Sequence, residues 1–222
     1  MLKIDFLQNF FRKYGREGIT LVAATKMQPA ETVNALPLHG VTIAGENKVQ
    51  ELLQKYPSVR GVEWHFIGRL QTNKVKYLID KVSCIQSVDR ISLAKEIQKQ
   101  AEKHDVCLNV FVEVNIAEDP AKGGVFAAEL PALLAEISKM DRLRLSGLMT
   151  VLPVGAEDAL YEKAHDVFLQ TQQKYPSVRT LSMGMSGDYE KAIAHGATMV
   201  RLGSALFGAR EYAKENATHA KE

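Results

Sequence analysis

The sequence predicts a closed (β/α)8 barrel of the TIM type carrying one extra helix at its N-terminus. Two observations lead there. Eight short apolar runs alternate with helix-like segments, the signature of parallel βαβ units. The 222 residues, 46% hydrophobic, suffice for one sizeable core, and no Pro/Gly/Ser-rich linker divides them. The expected organisation is therefore one barrel domain over 1–222, with the extra helix within 1–15 and a fraying polar tail at 211–222. An open doubly wound sheet tolerates the same alternation and is the alternative.

The elements follow in order. About residues 3 to 14 read as an amphipathic helix with Phe6, Leu7, Phe10 and Phe11 on one side. The first strand, Thr20–Lys26, is an apolar run that Pro29 soon breaks, and a helix over Ala30–Leu36 follows. Strand two, Val41–Glu46, leads into a helix over Asn47–Lys55. Asn47 has the chemistry of an N-cap there, with Gln50 completing a capping-box pattern. Strand three, Glu63–Gly68, ends in a polar turn, Gln71-Thr72-Asn73-Lys74, that lines the barrel mouth. Strand four, Cys84–Val88, precedes a helix over Ile91–His104. Strand five, Asn109–Asn115, precedes the basic loop Lys122-Gly123-Gly124 and a helix over Ala127–Lys139. Strand six is Leu143–Thr150, followed by a helix over Glu157–Lys174. Strand seven, Thr180–Ser186, feeds a helix over Tyr189–His195 that stops at Gly196. Strand eight is Met199–Leu202.

Composition narrows the function classes. A net charge of +2, from 28 basic and 26 acidic residues, gives no reason to expect nucleic acid or an anionic membrane as partner. Cys84 and Cys107 match neither a metal spacing nor a disulfide framework, which fits a reducing cytoplasm. Asp5, Gln8, Asn9 and Arg12 interrupt the N-terminal apolar residues, so no signal peptide is read there, and no apolar stretch is long enough to span a bilayer. Asn216-Ala217-Thr218 matches a glycosylation sequon and is read as chance. No metal-ligating cluster, paired carboxylates of a glycosidase, nucleophile elbow or P-loop pattern is found.

Lys26 carries the most chemistry. An ammonium at the end of a buried strand is costly, and desolvation turns an amine into a nucleophile toward aldehydes. The bland alternative is a lysine that snorkels to water. In a barrel, chemistry sits at the C-terminal ends of the strands, and phosphate sites are often built after strands seven and eight. There the chain places Ser186-Gly187-Asp188 and Gly203-Ser204, small residues that expose backbone N–H groups. Helix capping by Ser186 and Asp188 is the simpler reading. Arg201, two residues before Gly203, either pairs with a barrel carboxylate or faces the ring nitrogen of a cofactor whose phosphate rests on the turn. His65, between Trp64 and Phe66, reads as a satisfied core histidine rather than a base. Asn47 divides evenly between capping and contact with a ligand.

The segments Leu21–Lys26, Gly45–Glu51, Trp64–Gly68, Gly147–Thr150, Leu181–Ser186 and Met199–Arg210 together resemble the pyridoxal phosphate homeostasis protein family, in order and over nearly the whole chain. The resemblance implies a single (β/α)8 barrel similar to the barrel domain of alanine racemase. It implies pyridoxal 5′-phosphate (PLP) held as a Schiff base on Lys26, its phosphate on Ser186, Gly203 and Ser204, Arg201 at the pyridine nitrogen and Asn47 beside the ring. Three departures stand out: Arg69 where proline is usual, Gly187 where a second acidic residue is common, and an inserted Leu152. The implied role is a cytoplasmic, monomeric PLP carrier or regulator in vitamin B6 and amino-acid homeostasis, without turnover and with no catalytic residue. PLP-dependent apo-enzymes are the candidate recipients. A racemase-like enzyme using Lys26 as base, with Tyr189 or His65 as the opposite acid, is the alternative. A barrel acting on a phosphorylated metabolite through Lys26 is a third.

Overall fold

The structure is a computed structural model that describes residues 2–208. Ala209 and Arg210 of the last motif, the polar tail and the 216–218 sequon lie outside the described residues. Strand β1, Thr20–Ala24, is buried through its middle and pairs in parallel with two neighbours, β2 (Ile43–Glu46) and β9 (Met199–Leu202). A strand covered on both faces reads as a continuous apolar run, which is why Leu21-Val22-Ala23-Ala24 shows no alternation. Beyond β2 come β3 (Glu63–Phe66) and β4 (Cys84–Val88). On the other side of β9 come β8 (Thr180–Ser182), β7 (Leu143–Met149) and β5 (Leu108–Asn115). Pairing of β4 with β5 closes the ring into an eight-stranded parallel barrel among the described residues. The closed sheet excludes the open doubly wound alternative. A two-residue strand, β6 (Val125–Phe126), adds to the end of β5.

Two cores result from this closure. Inside the barrel, Val22, Cys84, Phe111, Met149 and Met199 fill the lower layer. Gly147 makes room for one of them: a Cβ there would lie 2.8 Å from the Phe111 ring and 2.7 Å from the Thr180 carbonyl. Outside, the second face of each strand packs against the helices in one large apolar cluster. The helices are α1 (Ile4–Tyr14), α2 (Ala30–Asn34), α3 (Val49–Lys55), α4 (Ile91–Lys103), α5 (Leu130–Ile137), α6 (Asp158–Lys174), α7 (Tyr189–Ala194) and α8 (Ser204–Phe207). A 3-10 helix, Thr72–Tyr77, takes the place of the third outer helix, where the sequence reads as a polar turn.

Helix α1 buries Leu7, Phe10 and Tyr14 and sets Phe6 and Phe11 against the core, the face expected from its spacing plus one turn. It lies over the last units. Tyr189 rings with Phe6, Phe10 and Tyr14 at centroid distances of 5.9, 5.9 and 6.3 Å, and the Lys3 N–H donates to Leu206 O at 2.8 Å. The turns after β8 and β9 are thereby clamped from outside.

Candidate functional site

The β1 strand ends at Ala24, two residues earlier than its apolar run suggests, because Thr25 leaves the ladder to start a turn. The Gln28 N–H donates to Thr25 O at 2.9 Å, and Met27 takes a φ of 63°, a left-handed conformation uncommon for a side-chain-bearing residue. Half-buried Lys26 sits in this turn. Helix α3 holds the turn from behind. Glu51 accepts the Met27 N–H, and the buried Lys55 ammonium donates to Thr25 O at 2.7 Å, Glu46 Oε1 at 2.6 Å and Glu51 Oε1 at 2.7 Å. Thr25 Oγ1 also donates to Glu46 Oε1 at 2.7 Å. Burial raises the Glu46 carboxyl above its ordinary value, with Lys55 and Thr25 opposing. The conformation of the Lys26 turn is thus set by a fully enclosed ion pair on the neighbouring unit.

The turns after β8 and β9 meet through one hydroxyl. Ser186 Oγ accepts the N–H groups of Gly203 at 3.0 Å and Ala205 at 3.1 Å. A serine hydroxyl has two lone pairs and one proton, so with both lone pairs engaged it has a donor left to give. Among the described residues, the N–H groups of Ser186, Gly187 and Ser204 also find no acceptor. The arrangement is a cluster of donors without a matching acceptor, which suits a phosphate. Simple capping does not account for it. Asp188 occupies the N-cap position of α7 without capping that helix; its carboxylate takes the Met185 N–H at 2.7 Å and the Tyr161 hydroxyl at 2.9 Å.

Arg201 is buried in β9, and among the described residues no carboxylate bonds it directly. Its guanidinium donates to Ser182 O at 2.8 Å, Ser182 Oγ at 2.7 Å and Thr150 O at 2.9 Å. Burial lowers its pKa to about 10, still far above neutrality. Since arginine only donates, Ser182 must pass its own proton on, to Gln86 Oε1 at 2.7 Å, and Gln86 Nε2 then donates to His65 Nδ1 at 2.8 Å. One line of donors runs from Arg201 across the upper barrel to His65. Burial drops the His65 pKa to about 4, so it is the neutral core histidine its sequence context suggests.

Asn47 does not cap α3. That helix starts at Val49 with Lys48 in the N-cap position and no side-chain cap bond. The Asn47 backbone is wedged against Gly68 instead, where an added Cβ would lie 2.3 Å from Asn47 O. Its Oδ1 is buried and unpartnered among the described residues. Glu113, unremarked in the sequence, stands two residues past Phe111 on β5, and alternation keeps it on the barrel side. Burial and the Asp89 charge push its pKa up to about 7, against the opposing pull of Arg201 and Arg69. A Cβ on Gly123 would lie 3.4 Å from its Oε1, so the Lys122-Gly123-Gly124 loop passes over this carboxyl.

The six residues singled out from sequence come together on four consecutive strands, β2-β1-β9-β8. Asn47 follows β2, Lys26 follows β1, Arg201, Gly203 and Ser204 belong to β9 and its turn, and Ser186 follows β8. Register places Val22 beside Arg201, and Ala24 lies next to Gly203, where an added Cβ would be 3.6 Å from the alanine Cβ. Tyr189 is turned into the α1 aromatic cluster, away from this group. Lys55, Glu46, Gln86 and Ser182 are the supports that sequence reasoning missed. The spacing of Glu51 and Lys55, four apart on one helix, was a signal for the first of them.

Comparison with known proteins bears on the family and the fold. The family described as alanine racemase, N-terminal domain, matches residues 8–211. Proteins named pyridoxal phosphate homeostasis protein are similar over most of their length. That of Aquifex aeolicus (strain VF5) is 42% identical over 205 residues, covering 89% of this chain and 90% of the relative. That of Escherichia coli (strain K12) is 39% identical over 208 residues, covering 90% and 89%. Among solved structures, PipY of Synechococcus elongatus PCC7942, with PLP bound, superposes with a TM-score of 0.83 at 31% identity, over 93% of this chain and all of that one (100%). Alanine racemase of Clostridium difficile 630 shares the fold at a TM-score of 0.76 and 16% identity, over 95% of this chain and 56% of that one.

Proposed function

The chain belongs to the pyridoxal phosphate homeostasis protein family, and from that premise we propose that it binds pyridoxal 5′-phosphate as a Schiff base on Lys26 and carries it without turnover. The observation that supports this most is the convergence of an amine, a donor-rich turn and a buried guanidinium on four adjacent strand ends. Ser186 and Ser204 take the phosphate with the Ser186 hydroxyl proton and the open N–H groups, while Gly203, whose N–H is held by Ser186 Oγ, shapes the turn on which the phosphate rests. Hydrogen bonds to such a charged acceptor are each worth about 1.5–3 kcal/mol. Arg201 presents a donor to the ring nitrogen, and Asn47 lies beside the ring. Bound there, PLP supplies an aldehyde that an amine captures reversibly. The Lys55–Glu46–Glu51 brace keeps the Lys26 backbone in one conformation, so the amine stays in register with the phosphate turn.

Carriage rather than racemisation is favoured by what surrounds the ring position. Arg201 cannot accept a proton relay, and a pyridine nitrogen facing it stays unprotonated, a poor electron sink. Tyr189 is engaged with α1, and His65 is neutral and buried. The carrier reading places the protein in the cytoplasm as a monomer, with PLP-dependent apo-enzymes as recipients. No helix among the described residues is long and apolar enough to cross a membrane.

The test is borohydride reduction of PLP-treated protein, followed by mass mapping, with an amino-acid racemisation assay on the same sample. The expected result is a label on Lys26, none in Lys26→Ala, and no racemisation above the Lys26→Ala background. Unchanged labelling in that variant overturns the Schiff-base assignment. Racemisation that Lys26→Ala abolishes replaces the carrier with an enzyme.

A further inference from the structure

Beside the barrel mouth, on the far side of β1 from the phosphate turn, the loops after β2, β3 and β4 enclose a cleft of about 560 Å³. Four cations line it: Lys48, Arg69, Lys74 and Arg90. Asn47, Gln50 and Gln71 add amides, and no carboxylate is among the lining residues. The chain as a whole carries only +2, so general basicity does not explain four cations converging on one concavity. Grouping like charges costs free energy, and that cost is recovered when an anion binds between them.

The cleft is also partly built in advance. Arg90 Nη2 donates to Leu70 O at 3.0 Å and Thr72 Oγ1 at 3.1 Å, and Nη1 donates to Asp89 at 2.5 Å. Three of the five guanidinium N–H groups are thus spent on fixing its plane, leaving others for a ligand. Asp89 offsets one of the four charges, so about three remain to be neutralised. The 3-10 helix Thr72–Tyr77, which follows β3, sets Lys74 on the cleft wall. Arg69 joins this cleft to the mouth, since its charge also acts on Glu113. The role proposed for Lys26 and the phosphate turn uses none of these cations.

We propose that this cleft is a second ligand site, separate from the PLP position, for a small metabolite with two or more clustered negative charges, phosphoryl or carboxylate. Its size is that of a small-molecule pocket rather than a macromolecular surface. The convergent arginines favour planar or tetrahedral oxyanions that accept paired hydrogen bonds. Binding beside Arg69 and Asn47 would place the anion next to the cofactor position without displacing the cofactor.

The experiment is calorimetric titration of the full chain, saturated with PLP, against inorganic pyrophosphate and, separately, citrate. The variants are Lys48→Ala/Arg69→Ala, both positions exposed and so tolerant of change, and Lys74→Met. We expect one saturable site for at least one probe. The double variant should weaken it by about a hundredfold, taking roughly tenfold per charge-assisted contact. Affinity should also fall as salt rises. Visible cofactor absorbance should stay constant through the titration. Preference for pyrophosphate identifies a phosphorylated ligand, and preference for citrate a polycarboxylate. The proposal is overturned if neither probe binds, if binding is unchanged in both variants, or if binding strips the cofactor absorbance and so uses the phosphate turn. Failure of the chain to take up PLP would count against the proposed function instead; the cleft is then read in Ser186→Ala with the same probes.

Discussion

Replacing Lys55 by methionine should be the most damaging single change near the site that touches no proposed cofactor contact. The Lys55 side chain is only 8% exposed, and that of Glu46 is completely enclosed at 0%. Removing it leaves a carboxylate in the interior with only the Thr25 hydroxyl as donor, and leaves Thr25 O without its Lys55 partner. Breaking a buried pair from one side costs about 3–5 kcal/mol. For a chain of this length each kcal/mol moves the midpoint by about 2–4 °C, so the thermal midpoint should fall by roughly 6–20 °C at neutral pH.

The sign of the pH dependence follows from Glu46. Its folded pKa already lies above the ordinary value and rises further when Lys55 is lost. A carboxyl raised on folding binds more protons in the folded state, so the variant loses stability as pH climbs from the ordinary carboxylate range through the raised folded value. The deficit should therefore shrink in mild acid. Glu46→Gln in the Lys55→Met background removes the stranded charge and should recover more than half of the loss. The assay is urea unfolding of the four proteins of this double-mutant cycle at two pH values. A Lys55→Met cost below about 1 kcal/mol, the level of an exposed pair, would refute the reasoning. So would a double variant no more stable than the single one.

Three further outcomes are expected. Ser186→Ala removes the hydroxyl donor and the acceptor that ties Gly203 to Ala205, and should weaken PLP retention by about 1.5–3 kcal/mol, roughly ten- to a hundredfold, in equilibrium dialysis; equal retention would discount the turn as the phosphate site. Glu113→Gln should flatten the stability profile, because a carboxyl raised from 4.5 to about 7 takes stability away as pH rises across that interval. The parent should lose up to about 3 kcal/mol there relative to the variant, and parallel profiles would contradict it. Gly68→Ala forces a Cβ to within 2.3 Å of Asn47 O and should cost about 1–3 kcal/mol in chemical denaturation while lowering PLP affinity, since Asn47 must move; an unperturbed variant would mean the loop is free to yield.

The barrel was legible because its strands are short, mostly buried and rich in apolar residues, with few polar interruptions such as Arg144 and Glu113, and all eight appear where those runs lie. Lys26 and the Gly203–Ser204 turn were legible for the opposite reason: a charge and two small residues break such runs at their C-terminal ends. What escaped was chemistry spread across strands. Gln86 and Ser182 are 96 residues apart, and each looks unremarkable inside an apolar stretch. Lys55 sits on a helix whose surface-like spelling, Gln-Glu-Leu-Leu-Gln-Lys, conceals that its last side chain turns inward. Asn47 stayed divided between cap and ligand contact because its residue type fits both, and only the packing of its backbone against Gly68, with α3 starting at Val49, separates it from the cap position. Local propensity lost to tertiary packing at that position.

The donor line from Arg201 to His65 bears on the proposal that this barrel carries a cofactor rather than uses it. Among the described residues Arg201 has no direct carboxylate partner, and its pKa near 10 keeps it charged. Each group behind it must then point its proton away: Ser182 toward Gln86, Gln86 toward His65. For His65 to become protonated at Nδ1, the Gln86 amide would have to flip, setting its NH2 against the Ser182 proton. The chain is therefore locked in one protonation pattern over the whole physiological range, consistent with the His65 pKa near 4. Turnover needs groups that exchange protons with the ring's surroundings. This interior instead holds one fixed donor, and in the proposed cofactor pose that donor orients and retains an acceptor without activating it.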